Sequence, residues 1–200
     1  MRPILALVLA LSALACAPVQ VRRMDVQEQK DLSGRWNDTD ARLVADEMIG
    51  DSLARPWLPG AQQRLRRPPT VIVGAVRNQS LEHINTDAFV EALQRALINS
   101  GQVSFVASKD ERLQLREERL DQDANASDAT RKAHGEEQGA DYVLSGAINA
   151  IQDEAASVAG SEKVMFYQVN LKLLDMKTNQ IVWNGQKQIK KNIVRAGVTW

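Results

Sequence analysis

The feature that most constrains the fold is a change of hydrophobic period about two-thirds of the way along the chain. Up to residue 139, apolar residues recur at helical spacing in several segments, and two short apolar runs lie between these segments. After residue 140, three long runs alternate between apolar and polar residues, as half-buried strands do. Strand–helix units followed by a meander predict an α/β sandwich: a mixed sheet with helices packed on it and a C-terminal antiparallel meander.

The individual elements follow from the same patterns. Thr70–Val76 (TVIVGAV) is almost continuously apolar, which is typical of a strand covered on both faces, and a polar loop over 77–84 follows it. The other predicted strands are 103–107, 142–151, 164–175 and 180–193, the last two joined by a hairpin turn at 175–179. The predicted helices are 39–54, a turn or short helix over 62–67, 86–101, 109–122 and one that ends at Gly139, with a loop over 121–128 before it.

Side chains that cap helix N-termini support three of these helices. A cluster of Asn, Asp and Thr over 37–40 precedes the first, and Asn85 or Thr86 can cap the helix that follows the polar loop. Ser108, with Glu111 three residues later, forms the pattern of a capping box before the helix at 109. Local side-chain chemistry and hydrophobic period therefore agree on where these helices begin.

The N-terminal residues have the layout of an export signal. An apolar run over 4–11 is too short to span a bilayer as a helix, and Ala-Leu-Ala over 13–15 stands directly before Cys16, the one cysteine of the chain. Two cleavage modes are open. Ordinary secretion would leave Cys16 as a free thiol, whereas cleavage at a bacterial lipobox would acylate it as the first residue. We expect the second, because the cysteine falls just after the cut.

These observations divide the chain into three parts. We predict a lipoprotein signal peptide over 1–15, a lipidated N-terminus and tether over 16–37, and a single periplasmic α/β domain over 38–195. The residue after the cysteine is Ala17 rather than Asp, which resembles the pattern that sorts enteric lipoproteins to the outer membrane. We therefore expect a lipid anchor in the outer membrane, with the domain facing the periplasm.

Charge and the scarcity of reactive residues argue against several functions. Lys and Arg together equal Asp and Glu at 25 each, so no strong positive field draws the chain to nucleic acid. His83 and His134 are far apart, and Gln138 stands where a zinc helix would place the second histidine after His134. Neither a phosphate-binding glycine motif nor a nucleophile elbow occurs. We expect no enzymatic activity, no cofactor, no metal and no nucleic-acid partner.

The polar loop after the first strand is the strongest candidate for a binding role. Functional groups of α/β folds often lie on loops that follow buried strands, and this loop carries Arg77, Asn78, Glu82 and His83. For each of them the alternative is a solvated connection without a binding role. Trp183 on the last hairpin is a further candidate for partner contact, with a half-buried sheet residue as the alternative.

A family resemblance rests on five segments. They are DLSGRWNDTD over 31–40, TVIVGAVRN with the loop Glu82-His83-Ile84, ALINSGQV over 96–103, GADYVL over 139–144, and the hairpin over 174–183. In this order, over about residues 31–194, they resemble the penicillin-binding-protein activator lipoproteins of the LpoB family. The resemblance implies an outer-membrane lipoprotein whose periplasmic domain docks on a bifunctional penicillin-binding protein. There it would stimulate glycan polymerisation and crosslinking in peptidoglycan synthesis.

A second function stays open at this point, because folds do not determine functions. The domain is also similar to the periplasmic parts of curli-secretion and TolB-type proteins. The chain could therefore be a self-assembling structural component of an envelope secretion or assembly complex.

The predicted tether is shorter than the long, proline-rich tethers that the resemblance to enteric family members implies. The 22 residues from Cys16 to Asn37 span at most about 75 Å when fully extended. We therefore expect a partner that extends outward from the inner membrane or one that sits near the outer membrane.

Overall fold

The structure is a computed structural model that describes residues 21–25, 28–127, 138–157 and 160–196. The chain divides into two compact units, residues 1–30 and 31–200. In the first unit the Glu28 N–H donates to the Asp25 carbonyl at 3.0 Å. The second unit holds all of the helices and strands given below. The predicted signal peptide and Cys16 lie outside the described residues.

In its described residues, the second unit contains four helices and five strands. The helices are α1 (Asp38–Leu53), α2 (Trp57–Leu65), α3 (Thr86–Asn99) and α4 (Lys109–Asn125). The strands are β1 (Thr70–Asn78), β2 (Ser104–Phe105), β3 (Tyr142–Ser157), β4 (Gly160–Asp175) and β5 (Ile181–Ala196).

The strands form one mixed sheet in the order β2-β1-β3-β4-β5. β1 is parallel to β2 and to β3, whereas β3, β4 and β5 form an antiparallel meander. The strand–helix units thus supply the parallel pairs and the alternating final third supplies the hairpins. The predicted mixed-sheet α/β fold with a C-terminal meander is confirmed.

Three helix starts follow the predicted caps. In α1 the Asp40 N–H donates to the Asn37 side chain at 3.0 Å, and the Asn37 N–H donates back to the Asp40 carboxylate at 3.0 Å. Asn85, rather than Thr86, caps α3 by accepting from two backbone N–H groups. The Ser108–Glu111 box begins α4, and its hydrogen bonds lower the pKa of Glu111.

The hydrophobic core lies between one face of the sheet and helices α1, α2 and α3. Alternate residues of β4 are buried, and those between them point to the opposite face. The pairing register of β1 with β3 shifts between Val73 and Val76, so that both valines are buried. The fully buried side chains come from both helices and strands. They include Val44, Val71, Phe89, Leu93, Leu144, Ile148, Met165, Tyr167, Leu171 and Leu173. Burying each of the large ones contributes about 1.5–3 kcal/mol.

Several element ends differ from the prediction. β1 continues to Asn78, so Arg77 and Asn78 belong to the strand and not to the loop, because they pair with Ala147 and Ile148 of β3. α4 continues to Asn125, so the loop predicted over 121–128 was wrong at its start. Hydrogen bonds between side chains four residues apart support this last turn.

Other elements of the structure differ in length from the predicted ones. The turn or short helix predicted over 62–67 overlaps the end of α2. This helix begins at Trp57, whose indole N–H donates to the Ser52 carbonyl at 2.6 Å. β2 has two residues instead of the predicted five, whereas the three meander strands each have 16. Most of the helix predicted to end at Gly139 lies outside the described residues.

Residues 31–37, which the sequence analysis placed in the tether, pack against the domain; we refer to them as the N-terminal strap. Trp36 makes edge contacts with Phe89 and Tyr167, with ring centroids 5.8 and 5.7 Å apart. Gly34 is buried with φ at +69°, and a Cβ there would collide with the side chain of Ile193.

The ammonium of Lys191 on β5 holds the N-terminal strap. It donates to the carboxylates of Asp31 and Asp40 at 2.6 Å each and to the Arg35 carbonyl at 3.2 Å. Burial alone would lower the pKa of Lys191, but the two carboxylates outweigh it and raise the pKa above its ordinary value. The strap is therefore part of the folded domain.

The β4–β5 turn confirms the predicted hairpin at 175–179. The Asp175 carboxylate accepts from the N–H groups of Lys177 and Thr178 at 2.9 and 3.0 Å, and from Arg64 at 3.1 Å. Burial alone would raise the pKa of Asp175, but these hydrogen bonds outweigh it and hold the pKa below its ordinary value.

Candidate functional site

The loop between β1 and α3, residues 79–85, is held by side chains at both of its ends. The Asn78 amide donates to the Glu82 carbonyl at 2.7 Å, and its oxygen accepts from the Ser80 N–H at 2.9 Å. The Gln79 N–H donates to the Ile148 carbonyl of β3 at 2.8 Å. The β1–α3 loop is therefore a turn of defined shape.

Glu82 fastens this loop to the core. Its carboxylate accepts the hydroxyl of Tyr167 at 2.7 Å, and the same hydroxyl lies 3.3 Å from the Gly34 carbonyl of the N-terminal strap. Tyr167 has no exposed surface, and burial, together with the Glu82 carboxylate, raises its pKa. One buried hydroxyl thus links β4, the loop and the strap.

The tip of the β1–α3 loop presents an apolar side chain to solvent. Leu81 has a relative exposure of 107%, and His83 two residues on is also exposed. Leu81 therefore projects from a turn that several hydrogen bonds hold in shape. Sequence reasoning missed Leu81: the loop contains two large apolar residues, Leu81 and Ile84, and only the structure shows that Leu81 is exposed whereas Ile84 is buried.

Arg77 points away from the core, onto the opposite face of the sheet. There it lines an open depression of about 470 Å³, which we name the sheet trough. Within the part of the chain that the structure describes, the guanidinium of Arg77 makes no hydrogen bond or ion pair. Lys172 of β4 lines the same trough and is exposed as well.

Trp183 is buried, with 6% relative exposure. Its indole N–H donates to the Asp51 carboxylate of α1 at 2.9 Å, and its ring lies against Gly185, where a Cβ would collide with it. Hydrogen bonds from Arg55 and from this indole lower the pKa of Asp51. These contacts favour the interpretation of Trp183 as a sheet residue that fastens α1 to β5.

The structure thus separates the five candidate contact residues. Asn78 and Glu82 act together in shaping the β1–α3 loop, and His83 is exposed near its tip. Arg77 lies at the base of the loop but on the open sheet face, and Trp183 is buried beneath α1.

Comparison with known families gives a match to the peptidoglycan-synthase activator LpoB over residues 40–189. The match covers three-quarters of the chain, from the first turn of α1 to the middle of β5. The chain belongs to the LpoB family. This match confirms the resemblance seen in the sequence. The members of the family are regulators of peptidoglycan synthases. Among curated proteins, no sequence matches this chain.

Solved structures of LpoB domains are among the similar folds. The LpoB C-terminal domain from Escherichia coli is 19% identical with a TM-score of 0.44, over 76% of this chain and 99% of that one. The domain from Salmonella enterica is 16% identical with a TM-score of 0.41, over 76% and 99%. Lipoprotein GNA1162 from Neisseria meningitidis is 18% identical with a TM-score of 0.34, over 62% and 84%.

None of the helices in the described residues combines the length and apolar character needed to cross a bilayer. No group of three or more His, Cys, Asp and Glu side chains in the same residues is placed to hold a metal ion.

Proposed function

We propose that this chain is a non-catalytic outer-membrane lipoprotein that binds and activates a bifunctional penicillin-binding protein in peptidoglycan synthesis. Membership of the peptidoglycan-synthase activator family over residues 40–189 carries the proposal. Acylation of Cys16 would anchor the protein at the periplasmic face of the outer membrane, because several acyl chains together hold a protein stably in a bilayer.

The docking surface that we propose is the tip of the β1–α3 loop. Leu81 would fill an apolar pocket of the enzyme, and His83 would add a polar contact beside it. Arg77 at the base of the loop would contribute a forked hydrogen bond to a carboxylate at the edge of the interface. The bonds of Asn78 and Glu82 hold this loop in shape before binding, which lowers the entropy cost of docking.

The N-terminal strap shortens the reach available to the anchor. Because residues 31–37 pack on the domain, the fifteen residues 16–30 are what remains between a lipidated Cys16 and the folded domain. Fully extended, they span about 50 Å. We therefore propose that the partner enzyme extends outward to meet this domain near the outer membrane.

A binding measurement with the Leu81→Ala variant tests the docking surface. The full-length chain, purified in mild detergent, is titrated onto the organism's immobilised bifunctional penicillin-binding protein. We expect the variant to bind at least tenfold more weakly, since a hot-spot side chain contributes more than about 1.4 kcal/mol. Its melting temperature should stay within about 1 °C, because Leu81 is fully exposed.

Leu120→Ala is the matched control, because Leu120 on α4 is also a highly exposed leucine, at 70%. It should bind the enzyme as the unaltered chain does. Equal binding by both variants would refute the loop as the docking surface. No binding by the unaltered chain would refute the enzyme as partner, and a ring-shaped homo-oligomer in native mass spectrometry would then favour an assembly component.

A further inference from the structure

The sheet trough differs in chemistry from the β1–α3 loop. Its lining contains amide, hydroxyl and cationic side chains, and none of its lining residues is acidic. Four strands contribute the polar groups, which include Arg77 of β1, Ser145 and Asn149 of β3, Asn170 and Lys172 of β4, and Asn184 of β5. Its floor is formed by the small side chains of Ala75 and Ala147.

The strand register places these groups in adjacent rows. Ser145, Lys172 and Asn184 lie side by side on β3, β4 and β5. In the next row Arg77 pairs with Ala147, which pairs with Asn170. Neighbouring strands are about 4.8 Å apart and residues two apart on a strand are about 6.7 Å apart. The Cα atoms of Arg77 and Lys172 are therefore about 12 Å apart across the trough.

We propose that the sheet trough binds peptidoglycan itself, taking the sugar rings on its floor and the carboxylates of the stem peptides on its cations. A glycan exposes many hydroxyl groups that both donate and accept hydrogen bonds, as the amides of Asn149, Asn170 and Asn184 do. The small side chains of the floor let a ring lie close to the strands. Arg77 and Lys172 are complementary in charge to a ligand that carries carboxylates at intervals.

The trough is less suited to the core of a protein interface. Interface cores concentrate aromatic and large apolar side chains, and none of the lining residues is of that kind. The loop tip, by contrast, presents Leu81. The domain would then hold its enzyme by the loop and the wall polymer by the sheet, on adjacent surfaces that meet at Arg77.

Sedimentation with purified, protein-free peptidoglycan sacculi tests the proposal. We expect the full-length chain in mild detergent to enter the pellet in a saturable manner and to be displaced by salt, because charged contacts are screened. Insoluble chitin, which has acetylated sugars but no carboxylates, should retain it at least tenfold less well. Equal retention by both polymers, or none by sacculi, would overturn the proposal.

The double variant Lys172→Ala, Asn149→Asp identifies the surface. It removes one cation and converts one amide to a carboxylate of the same shape, so we expect at least a tenfold loss of affinity for sacculi. Arg77 is left unchanged because it borders the loop as well. The control is Lys177→Ala with Gln114→Glu, which makes the same charge change at two exposed positions outside the trough.

The same variants separate this proposal from the docking of the enzyme. The double variant should still bind the penicillin-binding protein as the unaltered chain does. If it loses the enzyme and keeps the sacculi, the trough is a protein-docking surface and the glycan proposal is wrong. If its loss of sacculi is no greater than that of the control variant, net charge rather than the trough explains the binding, and the proposal is equally wrong.

Discussion

Replacing Lys191 with methionine tests how the N-terminal strap is held on the domain. The Lys191 side chain is 10% exposed, and Asp40, one of its two carboxylate partners, is 7% exposed. Asp31, the other partner, is 36% exposed. Methionine has a similar length and no charge, so the substitution removes the ion pairs with little change in packing.

The expected loss is about 3 kcal/mol in the free energy of unfolding. Removing one partner of a buried ion pair costs about 3–5 kcal/mol, because the other charge stays buried and unpaired. The lower end applies here, since Asp31 can turn to water and Asp40 keeps the hydrogen bond from the Asn37 N–H at 3.0 Å. In a domain of this size, such a loss lowers the melting temperature by about 6–12 °C.

Thermal unfolding and trypsin cleavage after Arg35 measure the effect together. Lys191→Met should melt lower and be cut faster at Arg35, because Lys191 no longer holds the Arg35 carbonyl and the released strap can enter the active site of the protease. Lys190→Met, at an exposed position next along β5, is the control and should stay within about 0.5 kcal/mol of the unaltered chain. An unchanged melting temperature and cleavage rate for Lys191→Met would refute the reasoning.

Three further predictions concern the loop, acid stability and the anchor. Tyr167→Phe removes the hydroxyl that Glu82 accepts, so amide exchange over 79–84 should become faster and stability should fall by about 1–2 kcal/mol; unchanged exchange would count against it. Because the folded-state pKa of Asp175 lies below its ordinary 3.8, its stabilising effect is complete above that value and is lost as the pH falls through the folded pKa. Asp175→Asn should therefore show a shallower acid decline in urea titrations, and an equally steep decline would exclude this group as a source. Cys16→Ser should move the protein from the membrane to the soluble periplasmic fraction, and a soluble unaltered protein would favour ordinary secretion.

Sheet topology was predictable because the alternation in the last third of the chain is long. A run that alternates over ten or more residues has one buried and one solvated face, so the sequence itself indicated which side chains of β4 face the core. The caps at Asn37 and Ser108 were equally local, since each needs a side chain and a backbone N–H three residues away. Such features depend on neighbours in the sequence.

What the sequence did not reveal depends on contacts between distant residues. Arg77 and Asn78 are polar, yet they continue β1 because β3 offers hydrogen-bonding partners alongside them. The N-terminal strap has no hydrophobic period of its own, and it is ordered by Lys191, which stands more than 150 residues later in the sequence. The candidate loop was chosen from the sequence, but the exposure of Leu81 at its tip depends on the shape of the loop rather than on its composition.

Glycan polymerisation by the partner enzyme tests the central claim most directly. The organism's purified bifunctional penicillin-binding protein is supplied with its lipid-linked disaccharide precursor, and the rate of polymer formation is followed with and without the full-length chain. We expect a severalfold higher rate with the unaltered chain and with Leu120→Ala, and no increase with Leu81→Ala at the same concentration. A rate that the unaltered chain leaves unchanged, under conditions where it binds the enzyme, would contradict its role as an activator.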